Sequence, residues 1–286
     1  MGAVRVKTII AHIRLFRPLN LLTGAFAVYV CSAILRSLYQ TSELTFAILT
    51  VVGYNAAANS LNDFIDFKID QVNRPNRPLT AGLVKRNTAL IFSVLLFVGG
   101  SITALFLSKL AAMIAILIVL PLIISYNLKL KQLPLVGNIV IALILGLTFV
   151  FSGAVFGNIK PMIIPCFLAF GLTFIRELVK DIEDMEGDRL AGLTTFPIIA
   201  GFNRAGKLTA LFAVMIGVGA LTPYMMGIYS FWYLAFLVLG VEIPLIILVV
   251  LFMKSPEKLN FSLASKTLKI STILGIIAIY CGSTYV

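Results

Sequence analysis

The sequence predicts an all-α polytopic membrane protein, and three observations predict it. The chain of 286 residues is 60% hydrophobic and only 12% charged, with a mean hydropathy of +1.03, which is more apolar surface than one water-soluble core can hide. Its apolar residues fall into about nine runs of bilayer length, since roughly 20 apolar residues cross the hydrocarbon as a helix. The runs show no period of two, so helices rather than a closed barrel satisfy the backbone inside lipid.

In chain order the runs are 18–38, 44–64, 88–107, 110–127, 134–156, 161–182, 205–227, 229–252 and 268–286. A basic leader with Arg5, Lys7, Arg14 and Arg17 precedes the first. A cleaved signal peptide also begins this way, but the run is longer than a signal core and lacks a small-residue cleavage site, so it reads as a retained span. The second and sixth runs end in acidic residues, and the connections after them, about 65–87 and 183–204, are the long polar loops. Shorter ones follow at 128–133 and 253–267. A cytoplasmic N-terminus places all four on the inner face, together with every one of the 23 cationic residues except Arg36, Lys109 and Lys160. That asymmetry is the positive-inside pattern. It assigns the net charge of +11 to topology and not to nucleic acid. Nine spans then leave the C-terminus outside a cell membrane. No low-complexity stretch interrupts the pattern, so residues 1–286 read as a single transmembrane domain.

Cys31, Cys166 and Cys281 are far apart inside apolar runs and make no metal-ligand spacing. His12 is the one histidine, which excludes a His-based metal centre and a Ser-His-Asp triad.

The acidic residues carry the functional signal. Of the 12, all but Glu43, Glu242 and Glu257 lie in two clusters. Asn55, Asn59, Asn62, Asp66 and Asp70 are spaced by 4, 3, 4 and 4, which puts them on one helix face, with Asp63 beside it. Thr173, Glu177, Asp181, Asp184 and Asp188 repeat the pattern with 4, 4, 3 and 4, and Glu183 and Glu186 adjoin them. Like charges at i and i+4 destabilise a helix, so such stripes call for cations, and oxygen donors suit Mg²⁺ or Ca²⁺. Solvated helix ends would explain scattered acids, but not stripes that start inside apolar spans. Bases adjoin both stripes: Arg74 and Arg77 in NRPNRP, Lys131 after the fourth span, and Arg176, Lys180 and Arg189 around the second. Carboxylates, divalent ions and guanidinium groups together suit a diphosphate. Pro75 and Pro78 hold the residues before them extended. RLFRPLN sets Arg14, Arg17 and Asn20 at the inner end of the first span, as a further cationic site or a topological anchor.

These motifs resemble the UbiA-type intramembrane prenyltransferases. NDFIDFKID at 62–70 with NRPNRP after it is similar to the family's first signature, and KDIEDMEGD at 180–188 to its second. RPLN at 17–20 resembles its N-terminal motif and YNLKLK at 126–131 its short loop after the fourth helix, although Leu130 stands where a second cation is usual. The resemblance implies nine helices around a central cavity with active-site loops on the cytoplasmic face. It implies two Mg²⁺ ions, one served by Asn62, Asp63, Asp66 and Asp70 and the other by Asp181, Asp184 and Asp188. These would clamp the diphosphate of an allylic prenyl donor, helped by Arg74, Arg77, Lys131 and Lys180, with Tyr126 beside the cation or phosphate. Within the family, the short N-terminus, the continuous KDIEDMEGD and the YNLKLKQLPLVGN segment resemble the members that build archaeal ether lipids. This implies geranylgeranyl diphosphate as donor and the hydroxyl of geranylgeranylglyceryl phosphate as acceptor. The acceptor phosphate would then meet Arg14, Arg17 and Asn20, with Lys129 or Arg176.

Two other readings remain open at this stage: prenyl transfer to an aromatic quinone precursor, and transport of a divalent cation or phosphate. A transporter usually holds its ligands near the midplane on interrupted helices, whereas these stripes lead to one face.

Overall fold

The computed structural model describes residues 2–190, 192–254 and 259–284, with side chains described from residue 9 to residue 283 within those limits. Lys258 of the inner-face cations, Glu257 and the last two residues of the ninth run lie outside the described residues, as do the side chains of Arg5 and Lys7. Every regular element among the described residues is helical.

Helix α1 (Gly2–Leu15) leads into α2 (Pro18–Ile34) across a bend of 52°. The hinge is Arg17, which is left-handed at φ 55°. Pro18 clashes with a helical residue before it and is itself favourable at the first position of a new helix, so the chain breaks there and restarts. Helix α3 (Thr41–Ile65) stops at Asp66, and the short α4 (Phe67–Asn73) carries the first acidic motif onward. Next come α5 (Arg86–Leu105) and a span built from α6 (Lys109–Met113), a π-helical stretch (Ile114–Val119) and α7 (Leu120–Leu128). Helix α8 (Val136–Val155) is followed by α9 (Ile163–Glu183), by the short α10 (Met185–Leu190) and α11 (Phe196–Ala200), and by α12 (Phe202–Met225). The last spans are α13 (Phe231–Leu237) joined through a second π-helical stretch (Val238–Glu242) to α14 (Ile243–Lys254), and α15 (Phe261–Thr284).

Eight of these helices are long and apolar enough to cross a bilayer, and the count is nine when the bent α1–α2 pair is taken as one span. Each expected run falls on one of them. The ends differ by more than three residues in two places. The first span stops at Ile34 rather than 38, and the last begins at Phe261 rather than 268, because Ser265 and Lys269 lower the local hydropathy while turning inward.

The apolar residues bury themselves in two halves. One joins α2, α3, α5, α7 and α8 around Tyr54, Phe97 and Phe151. The other joins α9, α12, α13, α14 and α15 around Ile175, Tyr233, Leu245 and Leu268. Helices α3 and α5 approach closely where Gly53 faces Gly100, a small-residue contact of the kind that packs helices in lipid. A smaller cluster of Val30, Phe149, Met162 and Ile276 ties the halves together. Between them lies the cavity that holds the polar stripes.

Candidate active site

A cavity of about 610 Å³ is lined by α2, α3, α7, α8, α9, α13 and α15. It is charged at one end, where α3 and α9 finish, and apolar at the other, where Phe149, Leu237, Ile276 and Ile279 form its wall. Asn55, Asn59, Asn62, Asp66 and Asp70 line it from one side, and Thr173, Glu177, Asp181, Asp184 and Asp188 from the other. Asp70, on α4 beyond the helix break at Asp66, still lines the cavity.

Each carboxylate has a partner from the chain itself. Lys131 Nζ reaches Asp66 Oδ1 at 2.5 Å, with the two side chains only 12% and 16% exposed. Asn62 donates to the other oxygen of Asp66 at 2.9 Å. Arg77 pairs with Asp70 and, at 3.2 Å, with Asp63. Arg74 bridges the two motifs, leaving α4 to meet Asp184 at 2.7 Å. Asn73 donates to Asp188 at 3.4 Å, and Asn138 of α8 donates to Asp181 at 2.8 Å. Arg176 and Lys180 share Glu177 at 3.0 and 2.7 Å. The repulsion expected of the bare stripes is therefore relieved by guanidinium, ammonium and amide groups. Burial pushes the Asp70 carboxyl up to about 6, with Asp63 and Asp66 adding to the shift and Arg77 opposing it. Burial and then the neighbouring Asp184 charge push Asp188 to about 6 as well.

Among the described residues no group of three or more His, Cys, Asp or Glu converges as a ready-made metal cage. The two acidic motifs face the cavity with carboxylate and amide oxygens, the set that hard divalent ions prefer when a ligand completes the shell.

The structure places most of the expected site residues on the cavity, including Arg17, Asn20, Arg74, Arg77, Tyr126, Lys131, Arg176 and Lys180. Four take other positions. Asp63, 2% exposed, is rotated off the Asn62–Asp66 face toward the α1–α2 hinge, where Arg17 holds it at 2.5 Å. Arg14 is exposed and donates to the Asn76 carbonyl at 3.3 Å. Lys129 and Arg189 are exposed and do not line the cavity. In the other direction, the cavity recruits residues that spacing did not single out: Asn73, Asn127, Gln132 and Lys269. Asn73, Asn127 and Lys269 lay inside quoted or basic segments, and Gln132 directly follows the YNLKLK loop.

A 34% identical relative over 276 residues, 95% of each chain, is the digeranylgeranylglyceryl phosphate synthase of Methanothermobacter thermautotrophicus. A solved structure that concerns digeranylgeranylglyceryl phosphate synthase in membranes superposes with a TM-score of 0.75 at 28% identity, covering 98% of this chain and 99% of that one. A UbiA homolog from Archaeoglobus fulgidus bound to GPP and Mg²⁺ shares the fold, with a TM-score of 0.64 at 17% identity over 96% of this chain and 100% of that one. The family model described as the UbiA prenyltransferase family matches residues 20–273. With that match spanning the polar stripes and all but the first helix and the end of the last, the chain belongs to the UbiA prenyltransferase family.

Proposed function

We propose that this protein is a digeranylgeranylglyceryl phosphate synthase. It transfers the geranylgeranyl group of geranylgeranyl diphosphate to the hydroxyl of geranylgeranylglyceryl phosphate, forming the second ether bond of archaeal membrane lipids. The observation that carries this reading is a cavity with two acid-and-base motifs at one end and an apolar wall at the other. It suits an amphiphile whose head is an anion and whose tail is a long hydrocarbon, and the curated relative of the same length bears that activity as its name.

In this reading the donor diphosphate sits between α4 and α10. Arg74, Arg77 and Lys131 turn from their carboxylates to its oxygens, and Lys180 adds a fourth cation. The carboxylates fall into two sets, Asp66 and Asp70 with Asn62, and Asp181, Asp184 and Asp188, which would hold two Mg²⁺ ions. Mg²⁺ when bound neutralises charge on the departing diphosphate. The apolar wall excludes water from the allylic carbon, so that the glycerol oxygen and not water captures it. Tyr126 offers its ring and hydroxyl beside the reacting end. The acceptor phosphate meets Arg17, Asn20 and Arg176. The new ether bond replaces the carbon–diphosphate bond, whose electrons and the hydroxyl proton leave with the diphosphate. Residues 1–286 act as one domain in the cell membrane, with the N-terminus and the charged end of the cavity in the cytoplasm and the C-terminus outside.

The test is a product assay with purified protein, Mg²⁺, radiolabelled geranylgeranyl diphosphate and either the phospholipid acceptor or an aromatic acid, with an EDTA control. Metal-dependent diether from the phospholipid alone is the expected result. Product from the aromatic acid alone would replace the acceptor, and no product beside ion flux into vesicles would replace the enzyme with a transporter.

A further inference from the structure

Of the cationic side chains that line the cavity, Arg17, Arg74, Arg77, Lys131, Arg176 and Lys180 each have a carboxylate within ion-pair distance. Lys269 of α15 is different. Its ammonium is held 2.5 Å from the amide oxygen of Asn20, a neutral partner, and among the described residues it makes no ion pair. It also feels the repulsion of Arg176, Arg17 and Lys180. An ammonium in a membrane span with no carboxylate of its own is costly, and an anion beside it relieves the cost. Because the Asn20 oxygen faces Lys269, its Nδ2 donor is left to serve a ligand on the same wall.

The remainder of α15 indicates what kind of anion. Lys269, Thr272, Ile276 and Ile279 all line the cavity, and their spacing of 3, 4 and 3 is one helix face. A phosphate at Lys269 would therefore lead its hydrocarbon tail along an apolar track on the same helix. The diphosphate, by contrast, belongs with the cations that carry the Asp motifs, Arg74, Arg77 and Lys131.

The geometry points to Lys269, with Asn20 and Arg176, as the subsite that selects a lipid phosphate monoester over a neutral lipid alcohol. This rests on the synthase reading for the identity of the lipid, but the Lys269 ammonium without an ion pair and its apolar track stand without it.

Two readouts in nanodiscs test it. In steady-state turnover, Lys269→Gln raises the KM for geranylgeranylglyceryl phosphate by about tenfold to a hundredfold, the scale of one lost charge-assisted contact, while the KM for geranylgeranyl diphosphate holds. Lys269→Arg restores the acceptor KM. In thermal unfolding without donor or Mg²⁺, geranylgeranylglyceryl phosphate protects the wild type but not Lys269→Gln, and neither geranylgeranylglycerol nor inorganic phosphate reproduces the protection. Equal protection of both proteins, protection by the neutral alcohol or by free phosphate alone, or a rise in both KM values together overturns the subsite. If the wild type forms no ether, the synthase reading fails on its own. The unfolding arm then decides the subsite: a protected wild type with an unprotected Lys269→Gln upholds it, and an unprotected wild type overturns it.

Discussion

Gly187 is the point where the two acidic motifs touch, and Gly187→Ala should separate them. A Cβ built there would lie 1.4 Å from Asn73 Oδ1, 2.4 Å from its Cγ and 2.8 Å from its Nδ2. Restoring the 3.0 Å below which real Cβ contacts are essentially never found takes about 1.6 Å of movement between α4 and α10 or rotation of the whole Asn73 amide. Either response breaks the Asn73–Asp188 hydrogen bond, and the helix movement also shifts the carboxylates against each other. Overpacking of this kind costs about 1–3 kcal/mol of stability. A displacement of about 1 Å at a reacting centre costs on the order of 100-fold in rate, so kcat/KM for the prenyl donor should fall by about that factor. The assay is turnover at saturating acceptor, beside thermal unfolding to show that the helices still assemble. Asn73→Ala removes all three clashing atoms and alone should cost about tenfold or less, the scale of one hydrogen bond. The double variant should then match Asn73→Ala and exceed Gly187→Ala, a non-additivity that direct contact requires. Near-normal turnover in Gly187→Ala, or a double variant no better than it, would refute the packing argument.

Asp66→Asn and Asp184→Asn should each lower kcat by about 100- to 1000-fold, the scale of a lost electrostatic contribution to the transition state, while membrane insertion is unchanged; turnover within tenfold of wild type would remove that residue from the site. Lys131→Met leaves the mostly buried Asp66 without its cation and should cost about 2 kcal/mol in thermal unfolding, and adding Asp66→Asn should return that stability without returning activity; no recovery would show that the pair is not coupled. Asp70 and Asp188 have carboxyls raised to about 6 in the metal-free protein, so as pH falls through 6 Mg²⁺ must displace their protons. The Mg²⁺ concentration for half-maximal rate should then rise about tenfold per pH unit for each such carboxylate. The sign for stability is opposite: raised carboxyls favour the folded state fully below their unfolded value of about 4, so EDTA-treated protein should lose thermal stability as pH rises from about 4 through 6. A metal requirement independent of pH between 5 and 7 would contradict both.

The spans were readable because hydropathy integrates over a whole helix, and the stripe of Asn55, Asn59, Asn62 and Asp66 because one helix face has a fixed period. Asp63 was misplaced for a related reason. Proximity in the chain put it with the acids, but one residue past Asn62 is a turn of about 100°, and it faces Arg17 instead. The partnerships of Asp66 with Lys131 and Asp184 with Arg74 join residues 65 and 110 apart, and no local pattern encodes them. Lys269 was hidden differently, because a lysine near a span end looks like any topological anchor until α15 is seen to turn it inward. The π-helical stretches at Ile114–Val119 and Val238–Glu242 were equally silent, since they change backbone register without changing hydropathy.

The pairing of Arg74, Arg77 and Lys131 with Asp184, Asp70 and Asp66 makes the resting site its own counter-ion. Taking up a diphosphate is then an ion exchange rather than an addition. Every base that turns to the phosphate sets a carboxylate free, and every carboxylate engaged by a divalent ion sets a base free. Donor and metal must therefore raise each other's affinity by the same factor. Neither can load the site well without the other, which keeps the reactive diphosphate and its activating charge from gathering except together.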